Sequence, residues 1–368
     1  MSYITAIGTA NPINKFSQAA IADFMVKAMH LDDVNARRLK TIFRASGIDT
    51  RHSVLEDYGK ENAFTFYSNA HDFEPFPSTE KRLKAFRDYA LPLSLRAVED
   101  LRKSVDFISH EITHLILVCC TGMYAPGLDI DLVRELNLPP TTNRTSITFM
   151  GCYAAFNALK VADAVCKADP QSKVLVVCTE LCSLHFQKMP SDDNLLANAL
   201  FADGAAALLI EAVPNGNKRL KIESFHNDIV PGGQEDMAWT IGDLGFEMRL
   251  SIYVPDIIQK GITNLATSLL AKINKKITDI RYFAIHPGGR KILETIEKQL
   301  GLSQCQNEDA YEVLRNFGNM SSPTVLFVLK RLFQKFSVQD NDQHILSFAF
   351  GPGVTLESMI LKIEMEHA

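Results

Sequence analysis

The sequence predicts an α/β protein with helices layered against sheets, and three observations carry that reading. Short β-branched runs alternate with segments of helical periodicity, the composition suits one large core or two fused ones, and two glycine-led junctions far apart in the chain resemble each other. The 368 residues are 46% hydrophobic and carry a formal net charge of -5. Lys and Arg are dispersed and form no basic stripe, so no nucleic-acid partner is expected.

Taken in order, the runs 3–7, 115–119, 173–178, 205–210, 282–285, 345–350 and 354–362 read as strands: each is short, apolar and rich in Ile, Val or Leu. Between them, 18–29, 152–168, 255–272, 289–300 and 321–336 have helical periodicity. The helices at 152–168 and 321–336 are apolar almost all round and must be buried. The turn formers from Val213 to Arg219 divide the chain into 1–215 and 216–368. No flexible linker separates the two parts, so they share one packed body.

The N-terminal residues lack a charged leader followed by an apolar stretch, and no run approaches the roughly 20 apolar residues of a bilayer span. A cytoplasmic location and no membrane partner are therefore expected. Seven cysteines, an odd number with several in apolar runs, suit reduced, buried thiols. Cys178, Cys182 and His185 are spaced like metal ligands, but no second ligand pair follows, so no metal is expected.

Three residues carry the candidate chemistry. Cys152 follows Gly151, between the strand-like 146–150 and a buried helix, so its thiol is expected at the positive end of that helix, where the thiolate is favoured. His286 ends a strand and is followed by Pro287, Gly288 and Gly289, which stop the ladder and let backbone approach a ligand. Asn319 follows Gly318 ahead of the second buried helix, and its amide could hold a thioester oxygen as that oxygen becomes negative. Taken singly, a structural cysteine, a turn histidine and a helix N-cap asparagine would account for the same residues. The parallel between Phe149–Cys152 and Asn316–Asn319 suggests a duplicated fold with polar groups facing a central site.

With these residues in place, the chain resembles the type III polyketide synthases related to chalcone and stilbene synthases, as a bacterial-looking member. The resemblance runs almost end to end, through Ala6–Pro12, Cys120–Gly127, Gly151–Ala155, Ala199–Ala207, His286–Gly289, Gly318–Ser322 and Phe350–Val354. It implies a thiolase-like, duplicated αβαβα fold, a homodimer, and a cavity reached by a tunnel for the CoA pantetheine arm. It implies no cofactor and no carrier protein, only an acyl-CoA starter and malonyl-CoA. In the family the matching cysteine carries the acyl chain, and the matching histidine and asparagine promote decarboxylation. Cycles of extension end in ring closure to a pyrone-, resorcinol- or phloroglucinol-type product.

Around the three, the resemblance places Phe201 at a gate between tunnel and cavity. Met248 stands where plant members often have phenylalanine, which predicts tolerance of flexible aliphatic starters. Cys120 and His185 occupy positions of pocket threonines, and Trp239 falls near a small residue that opens the cavity in plant members. Trp239 either shortens the chamber or packs against Phe246. Of the CoA phosphate contacts, Arg38 matches, Thr41 and Ala45 replace basic residues, and Lys40, Arg44, Arg290 and Lys291 could compensate. Two rival readings stay open. One is an initiating ketoacyl-carrier-protein synthase, whose His-Gln-Ala-Asn and Asn-Thr-Ser signatures are absent here; the other is a non-catalytic acyl-CoA-binding protein of the same fold.

Overall fold

The computed structural model describes residues 1–105, 108–214, 216–231 and 233–365. The boundary expected at residue 215, and the final residues of the second part, therefore lie outside the described residues. Every expected strand forms, most of them at somewhat wider bounds: Tyr3–Ala10, His114–Cys119, Lys173–Leu181, Asp203–Glu211, His344–Gly351 and, starting one residue late, Thr355–Met365, with Tyr282–Ile285 as expected. Asn143–Thr148 and Lys218–Ile229 complete a nine-stranded sheet.

The strand order shows the duplication. Starting from Tyr3–Ala10, the first half runs through Asp203–Glu211 and Lys173–Leu181, both antiparallel, to His114–Cys119 and Asn143–Thr148, both parallel. The second half repeats the pattern: Lys218–Ile229, then Thr355–Met365 and His344–Gly351 antiparallel, then Tyr282–Ile285 parallel. The halves join edge to edge where Tyr3 and Ile4 pair with Lys221 and Leu220. By this order, His114–Cys119 and Tyr282–Ile285 hold equivalent places, so Cys120 and His286 leave equivalent strand ends.

The two all-round apolar helices lie between the halves, as their composition requires. Ala154–Ala168 packs on Lys173–Leu181 and His114–Cys119 and reaches Thr355–Met365 of the other half. Its alanines at 154, 155, 158 and 162 are all buried and share one face, where they allow close approach. Thr324–Lys335 packs on Tyr282–Ile285 and crosses to Tyr3–Ala10. Outside, Thr79–Arg102 covers the first half and Val254–Ala271 the second. The result is the five-layer αβαβα arrangement.

Both central helices start later than their periodicity suggested. The first is preceded by a tight turn, Gly151–Tyr153, and the strand before it stops at Thr148 because Phe149 has φ of 58°. The second begins at Thr324, since Ser321 has φ of 59° and Pro323 occupies the N-cap. Asn319 is therefore not a helix N-cap, and its side chain bonds within the turn, its Oδ1 accepting the Ser321 N–H. Missed in the sequence were the charged outer helices, including Asp33–Ala45 and Asp192–Leu200, and the hairpin Met237–Gly242/Gly245–Leu250. No helix among the described residues is long and apolar enough to cross a membrane.

Candidate active site

Two glycines in left-handed backbone set the reacting groups. Gly151 has φ of 73°, and a Cβ there would sit 2.4 Å from Pro352 Cδ. Gly318 has φ of 70°, and a Cβ there would meet Arg51 Cγ at 2.9 Å and the Leu200 carbonyl at 3.0 Å. Any larger residue would move Cys152 or Asn319. The echo seen in the sequence is thus a repeated backbone device that brings the two side chains together: Cys152 Sγ lies 3.8 Å from Asn319 Oδ1 and 3.9 Å from Nδ2.

The Asn319 carboxamide is oriented from behind. Its Oδ1 accepts the Ser321 N–H at 2.8 Å, which leaves Nδ2 toward the sulfur and the Gly288 carbonyl, 3.3 Å away. Its backbone N–H donates to the Leu200 carbonyl and its own carbonyl accepts from Ala202, both at 2.9 Å, forming a bridge across Phe201. His286 extends the ladder one residue beyond its strand by donating its N–H to the Phe348 carbonyl at 2.8 Å. Its side chain lines one cavity with Cys152, Asn319, Cys120, Phe201, Met248 and Trp239. Neither ring nitrogen has a hydrogen-bond partner among the described residues.

Burial governs the protonation of this set. Cys152, His286 and Asn319 are 9%, 1% and 3% exposed. Desolvation pushes the Cys152 thiol up to about 11, against the opposing hydrogen bonds of Ser321 and Asn319. The same desolvation holds the His286 imidazole down to about 3. Burial thus opposes the helix-end thiolate expected from the sequence and favours the neutral form of both groups in the resting site.

Behind the sulfur, the sequence reading missed Glu180. This fully buried carboxyl accepts from the Cys120 N–H at 2.9 Å, Thr121 Oγ1 at 2.8 Å and Ser322 Oγ at 2.8 Å. Burial raises it to about 7 despite those hydrogen bonds. An acid at the end of an otherwise apolar strand was the available signal. Cys120 lies beside it, its Sγ accepting the Gly151 N–H at 3.1 Å, so this pocket position braces the turn that carries Cys152.

Phe201, Met248, Trp239 and Cys182 form a partition, since they line both the Cys152 cavity and a neighbouring one bounded by Ile21, Met25 and Phe186. Each cavity holds about 40 Å³. Met248 and Trp239 are cross-strand partners in the hairpin. Trp239 has both expected roles: it walls the chamber, and it packs edge-on against Phe246 at 5.9 Å. His185 lines only the neighbouring cavity. Phe246 N–H donates to its Nδ1 at 2.9 Å, which fixes the proton on Nε2, 2.7 Å from the Thr121 carbonyl. It is a brace between hairpin and strand end, with both nitrogens committed.

Gly288, Ile292 and Leu250 also face a third cavity, of about 590 Å³, lined by Ala45, Ser46, Arg290 and Lys291. Arg290 and Lys291 thus stand at the mouth. Arg38, Lys40 and Arg44 do not line it: Arg38 pairs with Asp192 and Lys40 with Asp23, each at 2.6 Å, and Arg44 is exposed on the helix just before Ala45.

Residues 1–214 match the family described as chalcone and stilbene synthases, N-terminal domain, and residues 221–364 the corresponding C-terminal domain. The alpha-pyrone synthesis polyketide synthase-like Pks18 of Mycobacterium tuberculosis is 31% identical over 99% of this chain and 91% of its own. The C-terminal type III polyketide synthase domain of Steely1, a type I/III hybrid from Dictyostelium, superposes with a TM-score of 0.90 at 29% identity, covering 99% of each chain. PKS-I of the brown alga Ectocarpus siliculosus gives a TM-score of 0.91 at 30% identity over 98% of each.

Proposed function

Because the chain belongs to the chalcone and stilbene synthase family and is a type III polyketide synthase, we propose that Cys152, His286 and Asn319 carry its condensation chemistry. Enzymes of this family use acyl-CoA and malonyl-CoA without a carrier protein. The observation that supports the assignment is convergence: thiol and carboxamide within 4 Å of each other, with an imidazole that has no hydrogen-bond partner among the described residues in the same cavity.

The starter thioester enters past Arg290 and Lys291. Cys152 Sγ attacks its carbonyl while the thiol proton passes to His286, and CoA leaves to give an acyl-enzyme. Malonyl-CoA then loses carbon dioxide; the enolate oxygen accepts from His286 and from Asn319 Nδ2, in a site where burial strengthens both hydrogen bonds. The carbanion attacks the Cys152 thioester, the sulfur departs, and the chain is two carbons longer on CoA. Return of the chain to Cys152 allows another round before cyclisation. None of these steps draws on a metal or a redox cofactor.

Phe201 and Met248 bound the chamber, and the unbranched Met248 can yield where a fixed ring cannot, which favours flexible aliphatic starters. The small resting chamber and the name of the mycobacterial relative both favour a short chain closed as a pyrone over larger rings. A homodimer and a cytoplasmic location belong to the same proposal. Six of the seven free thiols are buried, which suits a reducing compartment. Octanoyl-CoA and coumaroyl-CoA, each supplied with malonyl-CoA, test the substrate reading through kcat/KM and product mass. The octanoyl pyrone is expected at the higher kcat/KM; a much higher value for coumaroyl-CoA would rule the reading out.

A further inference from the structure

We infer that Arg51 is a positioning residue for the condensation step: its guanidinium, clamped on backbone carbonyls at Phe201, fixes the aromatic gate and the Asn319 carboxamide together. Arg51 comes from the short strand Thr50–Ser53 and is 3% exposed. Its Nη1 donates to the Asn198 carbonyl at 2.8 Å and to the Phe201 carbonyl at 2.6 Å. Those oxygens end the helix Asp192–Leu200, where carbonyls lack helical partners and a cation is favoured.

The same side chain reaches the other partner of the bridge. Phe201 and Asn319 are paired through the Leu200 and Ala202 backbone, and Arg51 Cγ and Cδ lie where a Gly318 side chain would stand. One buried cation therefore touches the peptide before Asn319 and holds the residue opposite it. A shift of Arg51 is passed to the gate and to the Nδ2 donor, but Cys152, on a turn braced by Cys120 and Pro352, is fixed independently.

Stability alone does not account for this cation. Its Nε and Nη2 have no hydrogen-bond partner, and no carboxylate lies within ion-pair distance among the described residues. Its Cζ stands 5.4 Å from the Phe43 ring, and the buried Asp203 and Tyr58 act on it through space without a direct ion pair. A buried charge so incompletely paired carries a desolvation cost that an apolar side chain of equal length would avoid.

The inference rests on the assignment of Asn319 to decarboxylation, so Asn319→Ala is measured in parallel. The full chain is assayed for loading of octanoyl-CoA by intact mass and for turnover of malonyl-CoA at saturating and limiting concentration. Arg51→Met is expected to lower kcat for condensation about 30-fold with loading within about threefold of the parent, and Arg51→Lys to lower it only about fivefold. Parallel loss of loading and condensation, or no loss of either, overturns the inference. Should Arg51→Met fail to fold, Arg51→Lys decides: about a fivefold loss confined to condensation supports the role, and an unchanged or parallel loss refutes it. Full condensation by Asn319→Ala would instead overturn the underlying assignment, whatever Arg51 does.

Discussion

Burial favours the neutral form of both Cys152 and His286, pushing the thiol up to about 11 and holding the imidazole down to about 3. The sulfur does sit ahead of a buried helix, but a helix end is worth about 0.3–1 kcal/mol, less than one pKa unit. Desolvation of the thiolate moves the group by more than that, so burial wins. Proton transfer from Cys152 to His286 then belongs to the loading step, when the thioester supplies developing charge and new dipoles. The free enzyme should reflect this in its alkylation. Inactivation by iodoacetamide at Cys152 is expected to accelerate with pH through 7 to 10 without a plateau, because the reactive thiolate grows until about 11. A rate already flat at pH 6 would mean that a thiolate–imidazolium pair exists before substrate binds. These residues stood out in the sequence because Cys152 and Asn319 each follow glycine, and His286 precedes Pro287 and two glycines, at an element boundary. Their charge states did not, since burial comes from strands and helices supplied by the other half of the chain. Arg51 escaped notice for the same reason, since only its three-dimensional partners distinguish it from a surface charge, whereas Glu180 was marked only by its place at the end of an apolar strand.

The hairpin Met237–Gly242/Gly245–Leu250 is the element that sets substrate room. It presents Met248 and Trp239 side by side, and two hydrogen bonds tie it to the strand end at Cys120: Trp239 Nε1 to the Cys120 carbonyl at 3.0 Å, and Phe246 N–H to His185. The sequence placed Met248 and Trp239 near the pocket only through the family resemblance; the alternation of Met237, Trp239 and Ile241, and of Phe246, Met248 and Leu250, with polar Thr240, Glu247 and Arg249 was present but spans only six residues a strand. Removing the indole joins the two small cavities and frees a carbonyl beside Cys120. Trp239→Ala is expected to shift the preferred acyl-CoA to longer chains, with kcat/KM for a C14 starter rising about tenfold relative to a C8 starter, a difference of about 1.4 kcal/mol. An unchanged chain-length profile would show that the partition does not limit the starter. The outer helices Asp33–Ala45 and Thr79–Arg102 were missed because many of their residues are charged; each buries only a stripe, on Leu39 and Phe43 in the first case.

For the whole molecule, duplication explains why the site is central. Each half contributes a buried helix with a glycine turn before it, and the halves meet where those turns face each other, so neither half alone holds both Cys152 and Asn319. That symmetry was visible in the sequence as an echo; the edge-to-edge join through Tyr3 and Ile4 was not, because strand pairing depends on partners over 200 residues away. The first half ends on an exposed edge strand, Asn143–Thr148, immediately before the catalytic turn. An uncovered edge invites pairing, and a second copy would cover it. Sedimentation at micromolar concentration is expected to give a dimer mass, and Ser146→Pro to weaken it; a monomer throughout would remove that part of the proposal. The central claim is that one sulfur carries the growing chain. After octanoyl-CoA is mixed with the enzyme and quenched, peptide mass mapping should place an octanoyl adduct on the Cys152 peptide alone, with none in Cys152→Ala. An adduct on another cysteine, or one that survives in Cys152→Ala, would contradict the account.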